Sequence, residues 1–181
     1  MKQHGPWKIK SSEVKYKNQW IEFREDKVIQ PDGKDSVFCV ATIKPGVSVL
    51  PVDDEGFAYL TEEFRYAIGK QSIETVSGGI DNNEDSLAAA KRELKEETGI
   101  EAQEWISLGK VDPLTNMVLG PSWPYLARKL TFGNANPDSV EQIKIHKVRF
   151  EDAVQMVVES KITHAQSCVL ILKAAKFLGK L

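Results

Sequence analysis

The sequence predicts an α/β or α+β sandwich in which helices cover a mixed β-sheet. Three observations lead to this class. Strand-like segments separated by turn residues occupy positions 14–79, one strongly helical segment follows them, and further strand-like segments precede two helical segments near the carboxyl end. Elements in this order bury their apolar faces best when helices pack against a sheet.

Residues 14–52 have the composition of β-hairpins followed by the first strand of a main sheet. The runs VFCVATI and VSVLPV are rich in β-branched residues, and a Pro-Asp-Gly turn occupies 31–33. The sequence Lys-Pro-Gly at 44–46 marks a joint. We therefore expect residues 1–45 to form an antiparallel β-arm and residues 46–181 to form the main domain.

Two further strands are predicted between VSVLPV and the helix. The run FAYLTEEFRY predicts the first, and residues 73–76 predict a shorter second strand. We expect Gly78 and Gly79 to end that second strand, because glycine permits unusual backbone angles. The backbone at Gly78 is then open to close approach by a ligand.

The helical segment starts between residues 82 and 86 and continues through LAAAKRELKEE, which consists largely of strong helix formers. Gly99 is placed to end it. Beyond this helix, strands are predicted by WISLGKV, YLARKLTF and IKIHKVRF, and helices by residues 150–160 and 165–178.

Composition and charge are those of a soluble globular protein with a sizeable core. Of the 181 residues, 41% are hydrophobic and 28% are charged. The 24 basic and 26 acidic residues give a net charge of -2 with no basic tail, so we expect no nucleic-acid partner. No run approaches the roughly 18 apolar residues of a membrane span. The start MKQHGPWKIK lacks a signal-peptide segment, so we expect no membrane association.

The cysteines and histidines indicate neither disulfides nor zinc. Cys39 and Cys168 are far apart and lie in apolar surroundings, which predicts buried free thiols and a cytoplasmic location. His4, His146 and His164 are too scattered for a zinc cluster.

The segment RELKEETG crowds carboxylates on one helix face. Glu93 and Glu97 are four residues apart, with Glu96 beside them, and uncompensated like charges at this spacing repel by roughly 0.2–0.5 kcal/mol per pair. A solvated surface could carry such charges. A bound magnesium ion would turn this repulsion into a net attraction, because Mg²⁺ prefers carboxylate and phosphate oxygens. Leu94 belongs to an apolar stripe that would anchor the helix to the sheet.

Residues 78–100 fill each fixed position of the pattern G-x5-E-x7-R-E-U-x-E-E-x-G-U, in which U is apolar. This stretch resembles the Nudix box. The resemblance implies the Nudix α/β/α sandwich and a hydrolase that cleaves nucleoside diphosphates linked to another group. It also implies Glu93 and Glu97 as the main Mg²⁺ ligands, with Mn²⁺ as the alternative ion. Glu96 is implied as a further ligand, and the carbonyl of Ser77 as a main-chain ligand.

The same resemblance implies that Arg92 and Glu84 organise the acidic face. Arg92 is a permanent cation able to orient a carboxylate with its planar fork. Glu84 is also compatible with a purely structural role. Lys95, which the pattern does not require, is expected to be a surface charge.

The flanking segment TEEFRYAIGKQSIETVSGGI resembles ADP-ribose and nucleoside diphosphate sugar pyrophosphatases. Arg65 and Glu74 occupy the positions at which those enzymes carry an arginine and a glutamate, which implies contacts with a nucleotide-sugar substrate. A guanidinium pairs well with phosphate, although Arg65 also fits a structural role in its strand. Thr75-Val76 departs from the Leu-Pro usual in this subgroup, and the loop LTNMVLGPSWPYL differs from the subgroup pattern. The resemblance therefore does not identify the sugar of the substrate.

The segment NQWIEFREDKVIQPDGK resembles the β-arm that these enzymes exchange across a homodimer, so a homodimer is expected. Trp20 in this segment would stack on a nucleobase, or pack in the core or an interface.

Hydrolysis also needs a proton acceptor for the attacking water. No Asp, Glu or His occurs from Pro113 to Pro137, and Glu141 matches the loop glutamate of the subgroup. Glu141 is therefore the first candidate base, with Glu96 and Glu93 as rivals. His164 is interpreted as structural.

Two other functions stay open at this level. One is Nudix hydrolysis of another diphosphate: a dinucleoside polyphosphate, coenzyme A, a nucleoside triphosphate or an RNA end. The other is a nucleotide-sugar sensor without catalysis, which the complete set of box carboxylates disfavours.

Overall fold

The computed structural model describes residues 1–136 and 142–181. The chain divides into two compact units, one made of residues 1–45 with 112–121 and the other of residues 46–111 with 122–181. Within the described residues there are twelve β-strands and three α-helices. The strands are β1 Lys2–His4, β2 Trp7–Lys17, β3 Ile21–Ile29, β4 Asp35–Ile43, β5 Gly46–Pro51, β6 Phe57–Arg65, β7 Lys70–Glu74, β8 Val76–Gly79, β9 Ile100–Ser107, β10 Val118–Leu119, β11 Ser122–Phe132 and β12 Lys144–Arg149. The helices are α1 Ser86–Thr98, α2 Phe150–Val158 and α3 Ala165–Phe177.

The first unit is a five-stranded sheet in the order β1-β2-β3-β4-β10. Strands β1 to β4 pair antiparallel, and β10 pairs parallel with β4. The sheet begins at Lys2, earlier than the sequence patterns indicate. In β2 only Trp7 and Ile9 are half-buried and the rest is exposed, so backbone pairing with β3 forms this strand without the alternating burial that makes a strand recognisable.

The second unit contains a four-stranded sheet, β8-β5-β11-β9, and a three-stranded sheet, β12-β6-β7. In the larger sheet β5 and β11 are parallel and the other pairs antiparallel. Alternate residues of β5 face opposite ways: Val49 packs in the cluster that contains Leu94 of α1, and Leu50 packs in the cluster that contains Leu170 of α3. Helices thus cover both faces of a mixed sheet, and the predicted α/β class is confirmed.

The strand predicted before α1 is two strands. It ends at Gly79, as the glycines predicted, but Thr75 interrupts it and separates β7 from β8. The side chain of Thr75 is fully buried, and its N–H donates to Ser167 Oγ at 2.9 Å. This contact with α3 satisfies the backbone at the point where the chain passes from one sheet to the other.

The predicted helices are confirmed within two residues at each end. Asp85 caps α1, because its Oδ1 accepts from the N–H groups of Leu87 at 2.9 Å and Ala88 at 3.0 Å. Gly99 ends α1 with φ of 70°, in the left-handed region. No helix in the described part of the chain is both long enough and apolar enough to cross a bilayer.

Candidate active site

Helix α1 presents its carboxylates on a face held firmly by packing. Ala89, Ala90 and Leu94 are fully buried against the sheet. Glu93, Glu96 and Glu97 lie half-buried around the helix from this stripe. The apolar side therefore fixes the rotation of the helix, and with it the direction in which the carboxylates point.

Arg92 is the centre of this face. Its Nε and Nη2 donate to the two oxygens of Glu84, both at 3.0 Å. Its Nη1 donates to Glu93 Oε1 at 2.8 Å and to Glu96 Oε2 at 3.1 Å. Nη2 also donates to the carbonyl of Gly79 at 2.9 Å. These contacts match the five N–H groups of a guanidinium, so Arg92 organises the face and leaves proton transfer to other groups.

The electrostatics follow from this geometry. Hydrogen bonding to Glu84 is the largest cause that raises the pKa of Arg92 above its ordinary value, and Glu93 and Glu96 add to the effect against the opposing influence of burial. The guanidinium thereby offsets the repulsion among the carboxylates. Glu84 also accepts from the N–H of Asp81 at 3.0 Å, which ties the chain before the helix to Arg92.

Gly78 lies directly against this face. A Cβ built on Gly78 would overlap the carboxylate of Glu93. Gly78 pairs with Val47 of β5, so its backbone is fixed in the sheet. The glycine is required because a carboxylate packs on its Cα, and this contact brings Glu93 beside the strand that also carries Ser77.

The donor chemistry of this face fits a divalent cation. Glu93, Glu96 and Glu97 supply carboxylate oxygens, which are the protein ligands that Mg²⁺ prefers. No group of three or more His, Cys, Asp or Glu side chains in residues 1–136 and 142–181 has the spacing of a formed metal site. The fit therefore rests on the chemistry of the donors and on their shared helix face, with Arg92 bonded to two of them.

Arg65 and Glu74 form a bidentate pair in the three-stranded sheet. Arg65 Nε donates to Glu74 Oε1 at 3.2 Å, and Nη2 donates to Glu74 Oε2 at 2.8 Å. Nη1 of Arg65 also lies 2.7 Å from Glu63 Oε2. Burial alone would lower the pKa of Arg65, but the bonds to Glu74 and the charges of Glu74, Glu63 and Glu97 raise it. Glu97 of α1 is thus near enough to Arg65 for their charges to interact.

The amino end of α3 contacts Glu74 of this pair, and this contact was not predicted from the sequence. His164 Nδ1 lies 3.2 Å from Glu74 Oε2 and 2.9 Å from Ser167 Oγ. Ser167 follows His164 by three residues at the start of a helix. This is the spacing of a capping contact, and it could have indicated that the two side chains meet. The link to Glu74 joins residues ninety positions apart and had no local signal.

The remaining predicted residues lie elsewhere. Trp20 is in the first unit and is 68% exposed, so it is not a core residue of this chain. Glu141 lies outside the described residues. Cys39 and Cys168 are free, as predicted, but both are half-buried rather than buried.

Comparison with known proteins agrees with this fold. Residues 42–163 match the family model described as the NUDIX domain, and residues 7–38 match the one described as the nucleoside diphosphate sugar hydrolase N-terminal domain. The acidic helix on a mixed sheet is thus the core of a Nudix domain, and the chain belongs to the Nudix family.

Individual relatives span most of the chain. An ADP-ribose pyrophosphatase of Bacillus subtilis (strain 168) is 27% identical over 158 residues, covering 83% of each chain. A methanol dehydrogenase activator of Bacillus methanolicus is 24% identical over 172 residues, covering 90% of this chain and 89% of the relative. A crystal structure of an ADP compounds hydrolase superposes with a TM-score of 0.84 at 18% identity over the whole of both chains, which supports the fold.

Proposed function

We propose that this protein hydrolyses the diphosphate bond of ADP-ribose or another nucleoside diphosphate sugar, giving a nucleoside monophosphate and a sugar phosphate. The name of the Bacillus subtilis relative and the match of residues 7–38 support this substrate class. The observation that carries the chemistry is the acidic face of α1, on which Arg92 holds Glu84, Glu93 and Glu96 in fixed positions.

Nudix hydrolases generally use divalent metal ions, and we propose Mg²⁺ here, with Mn²⁺ as the alternative. Glu93, Glu96, Glu97 and the carbonyl of Ser77 would hold the ion. When bound, Mg²⁺ neutralises diphosphate charge and lowers the pKa of an attacking water. The contribution of the chain is to hold these oxygens rigidly on a packed helix face.

The reaction adds water across one P–O bond. The water oxygen bonds to one phosphorus, the bond from that phosphorus to the bridging oxygen breaks, and the bridging oxygen leaves on the other phosphate. A base must take the proton of the water. Glu141 is our first candidate. Glu96 is a rival, because it is 46% exposed and Arg92 bonds its Oε2, so that Oε1 is the oxygen to accept the proton. Glu93, which is more buried, is the other rival.

The substrate contacts that we propose use both charge and shape. Arg65, held by Glu74, would bind a phosphate oxygen with its guanidinium. Gly78 would contact the diphosphate through its backbone, beside the Glu93 carboxylate that packs on its Cα. Trp20 would stack on the nucleobase, and its exposure supports a role in stacking or in an interface.

We further propose a cytoplasmic homodimer in which the arm of residues 1–45 contributes to the interface, with residues 46–181 as the catalytic domain. Sedimentation equilibrium tests this assembly. A particle of twice the chain mass of 20.3 kDa is expected, and a monomer at micromolar concentration would remove the rationale for the arm.

A substrate panel with product identification tests the function. ADP-ribose, ADP-glucose, a dinucleoside polyphosphate, coenzyme A, a nucleoside triphosphate and a capped RNA are compared by kcat/KM during a Mg²⁺ titration, because pocket contacts decide this ratio. We expect ADP-ribose or an ADP-sugar to rank first and to yield AMP with a sugar phosphate. A higher kcat/KM for another compound would replace the proposed substrate.

Carboxylate-to-amide variants test the site. Glu93→Gln and Glu97→Gln should each lower kcat by about 10²-fold or more, since each removes a charge placed for the transition state. Glu101→Gln is the matched control, because Glu101 is an exposed carboxylate of the same unit, paired with Lys95 at 2.7 Å. Full turnover in both box variants would show that the site lies elsewhere.

A further inference from the structure

A buried polar cluster joins β7 to the amino end of α3. Ser167 Oγ is its hub: it accepts from the N–H of Thr75 at 2.9 Å and lies 3.1 Å from Thr75 Oγ1 and 2.9 Å from His164 Nδ1. Ser167 and Thr75 are fully buried, and the carboxylate of Glu74 is only 6% exposed. These groups fix His164 against Glu74.

The imidazole of His164 lies between a hydroxyl and a carboxylate. Its Nδ1 lies 2.9 Å from Ser167 Oγ, where either atom can be the donor, and 3.2 Å from Glu74 Oε2. Ser167 therefore keeps the ring oriented with Nδ1 towards Glu74.

Glu74 is held ionised and from two sides. Burial alone would raise its pKa, but the hydrogen bonds and charge of Arg65, with the charge that His164 carries when protonated, outweigh this and lower the pKa. Its Oε2 accepts from Arg65 Nη2 at 2.8 Å on one side and faces His164 on the other. A carboxylate contacted on both sides cannot rotate without breaking one of these contacts.

The orientation of Glu74 decides the orientation of Arg65. Two parallel N–H···O bonds fix the plane of the guanidinium. Glu63 holds Nη1 at 2.7 Å, and the charge of Glu97 on α1 acts on the same group. Arg65 is thus aimed beside the acidic helix face by a chain of contacts that ends at His164.

We infer that His164 is a positioning residue for substrate binding, which acts through Glu74 to hold the guanidinium of Arg65 against a phosphate of the substrate. This inference rests on the proposed function, in which Arg65 binds that phosphate. Because His164 touches neither the reacting atoms nor the acidic face, its removal affects KM and leaves the chemical step unchanged.

Steady-state kinetics on ADP-ribose test this role. His164→Leu removes the polar contact with Glu74 and is expected to raise KM about tenfold, with kcat within about twofold. His164→Asn restores a polar group near the position of Nδ1, and its KM should return to within about threefold of the parent value. His146→Leu is the matched control, because His146 Nε2 makes a similar contact of 2.8 Å with Glu62 that does not involve Arg65.

A double-mutant cycle tests the route through Arg65. In an Arg65→Ala background, His164→Leu should raise KM no further, since the group that it positions is gone. Additive effects, a fall in kcat equal to the rise in KM, or failure of His164→Asn to restore KM would each overturn the inference. If the leucine variant does not fold, His164→Ala replaces it in the cycle.

A measurement that needs no turnover separates this inference from the proposed function. The Nε–H of Arg65, bonded to Glu74 at 3.2 Å, should give a slowly exchanging ¹H–¹⁵N NMR signal. His164→Leu should speed its exchange with solvent at least about fivefold, and His146→Leu should not. Unchanged exchange overturns the inference even in an active enzyme, whereas loss of protection in a protein that hydrolyses no ADP-sugar refutes only the substrate.

Discussion

Replacement of Gly78 by alanine should separate activity from stability. The new methyl carbon would overlap the Glu93 carboxylate, whereas carbon atoms in contact need roughly 3.5–4 Å. Glu93 must therefore retreat by more than about 1 Å. That retreat breaks the 2.8 Å bond from Arg92 Nη1 and moves an oxygen intended for the metal. A misplacement of about 1 Å in a reacting constellation costs about 10²-fold in rate.

The stability of this variant should fall only moderately. The carboxylate is the far end of a flexible side chain, and Gly78 has an ordinary backbone conformation that alanine tolerates. Alanine stabilises by about 0.4–1 kcal/mol by lowering the entropy of the unfolded chain, which offsets part of the loss of about 1.5–3 kcal/mol for one charged hydrogen bond. We expect the free energy of unfolding to fall by about 0.5–2.6 kcal/mol.

Kinetics and denaturant unfolding together measure this prediction. The kcat for ADP-ribose should fall by about 10²-fold in Gly78→Ala, and adding the change to Glu93→Gln should cost less than about threefold more, because both act on one carboxylate. Full activity in Gly78→Ala would refute the reasoning. If the losses in kcat of the two single variants add in the double variant, the methyl group introduced by Gly78→Ala acts on a group other than the Glu93 carboxylate.

Three further predictions concern the helix and the buried pair. Arg92→Lys loses the two parallel hydrogen bonds to Glu84. Urea unfolding should therefore show a free energy of unfolding lower by about 2 kcal/mol, and kcat should fall at least about tenfold. An unchanged kcat would contradict the organising role of Arg92. Asp85→Ala should cost about 1 kcal/mol with KM unchanged, and a changed KM would show that the cap also shapes the site. Burial is the main cause that lowers the pKa of His164 in the folded protein, so the unfolded state takes up that proton first as the pH falls through 6.5, and stability declines. Below 4.5 the lowered pKa of Glu74 adds a second loss as this carboxylate is protonated. His164→Asn should remove only the first loss in urea unfolding measured from pH 7 to 4, and an unchanged profile would contradict the assignment.

The fold could be predicted where each segment carried its own pattern. Helix α1 has strong helix formers, a capping Asp85 and a terminal Gly99, all of which are local properties. Residues 1–45 were expected to form an antiparallel β-arm, but the start of β2 escaped prediction because this strand is mostly exposed and forms by pairing with β3. The break at Thr75 escaped prediction because a buried contact with Ser167 sets it, whereas the end of β8 at Gly79 was predicted from the glycines.

The sequence by itself determined the acidic face of α1, because residues three and four apart on a helix share a face whatever surrounds them. The spacing also places Arg92 beside Glu96, four residues on. The pairing of Arg92 with Glu84, which precedes the helix, was expected only from the resemblance to the Nudix box. Only the tertiary structure decided that the Glu93 carboxylate packs on Gly78, and that His164 joins Glu74 and Arg65. Those contacts bring together residues distant in the chain, and their geometry depends on how the sheets and α3 pack.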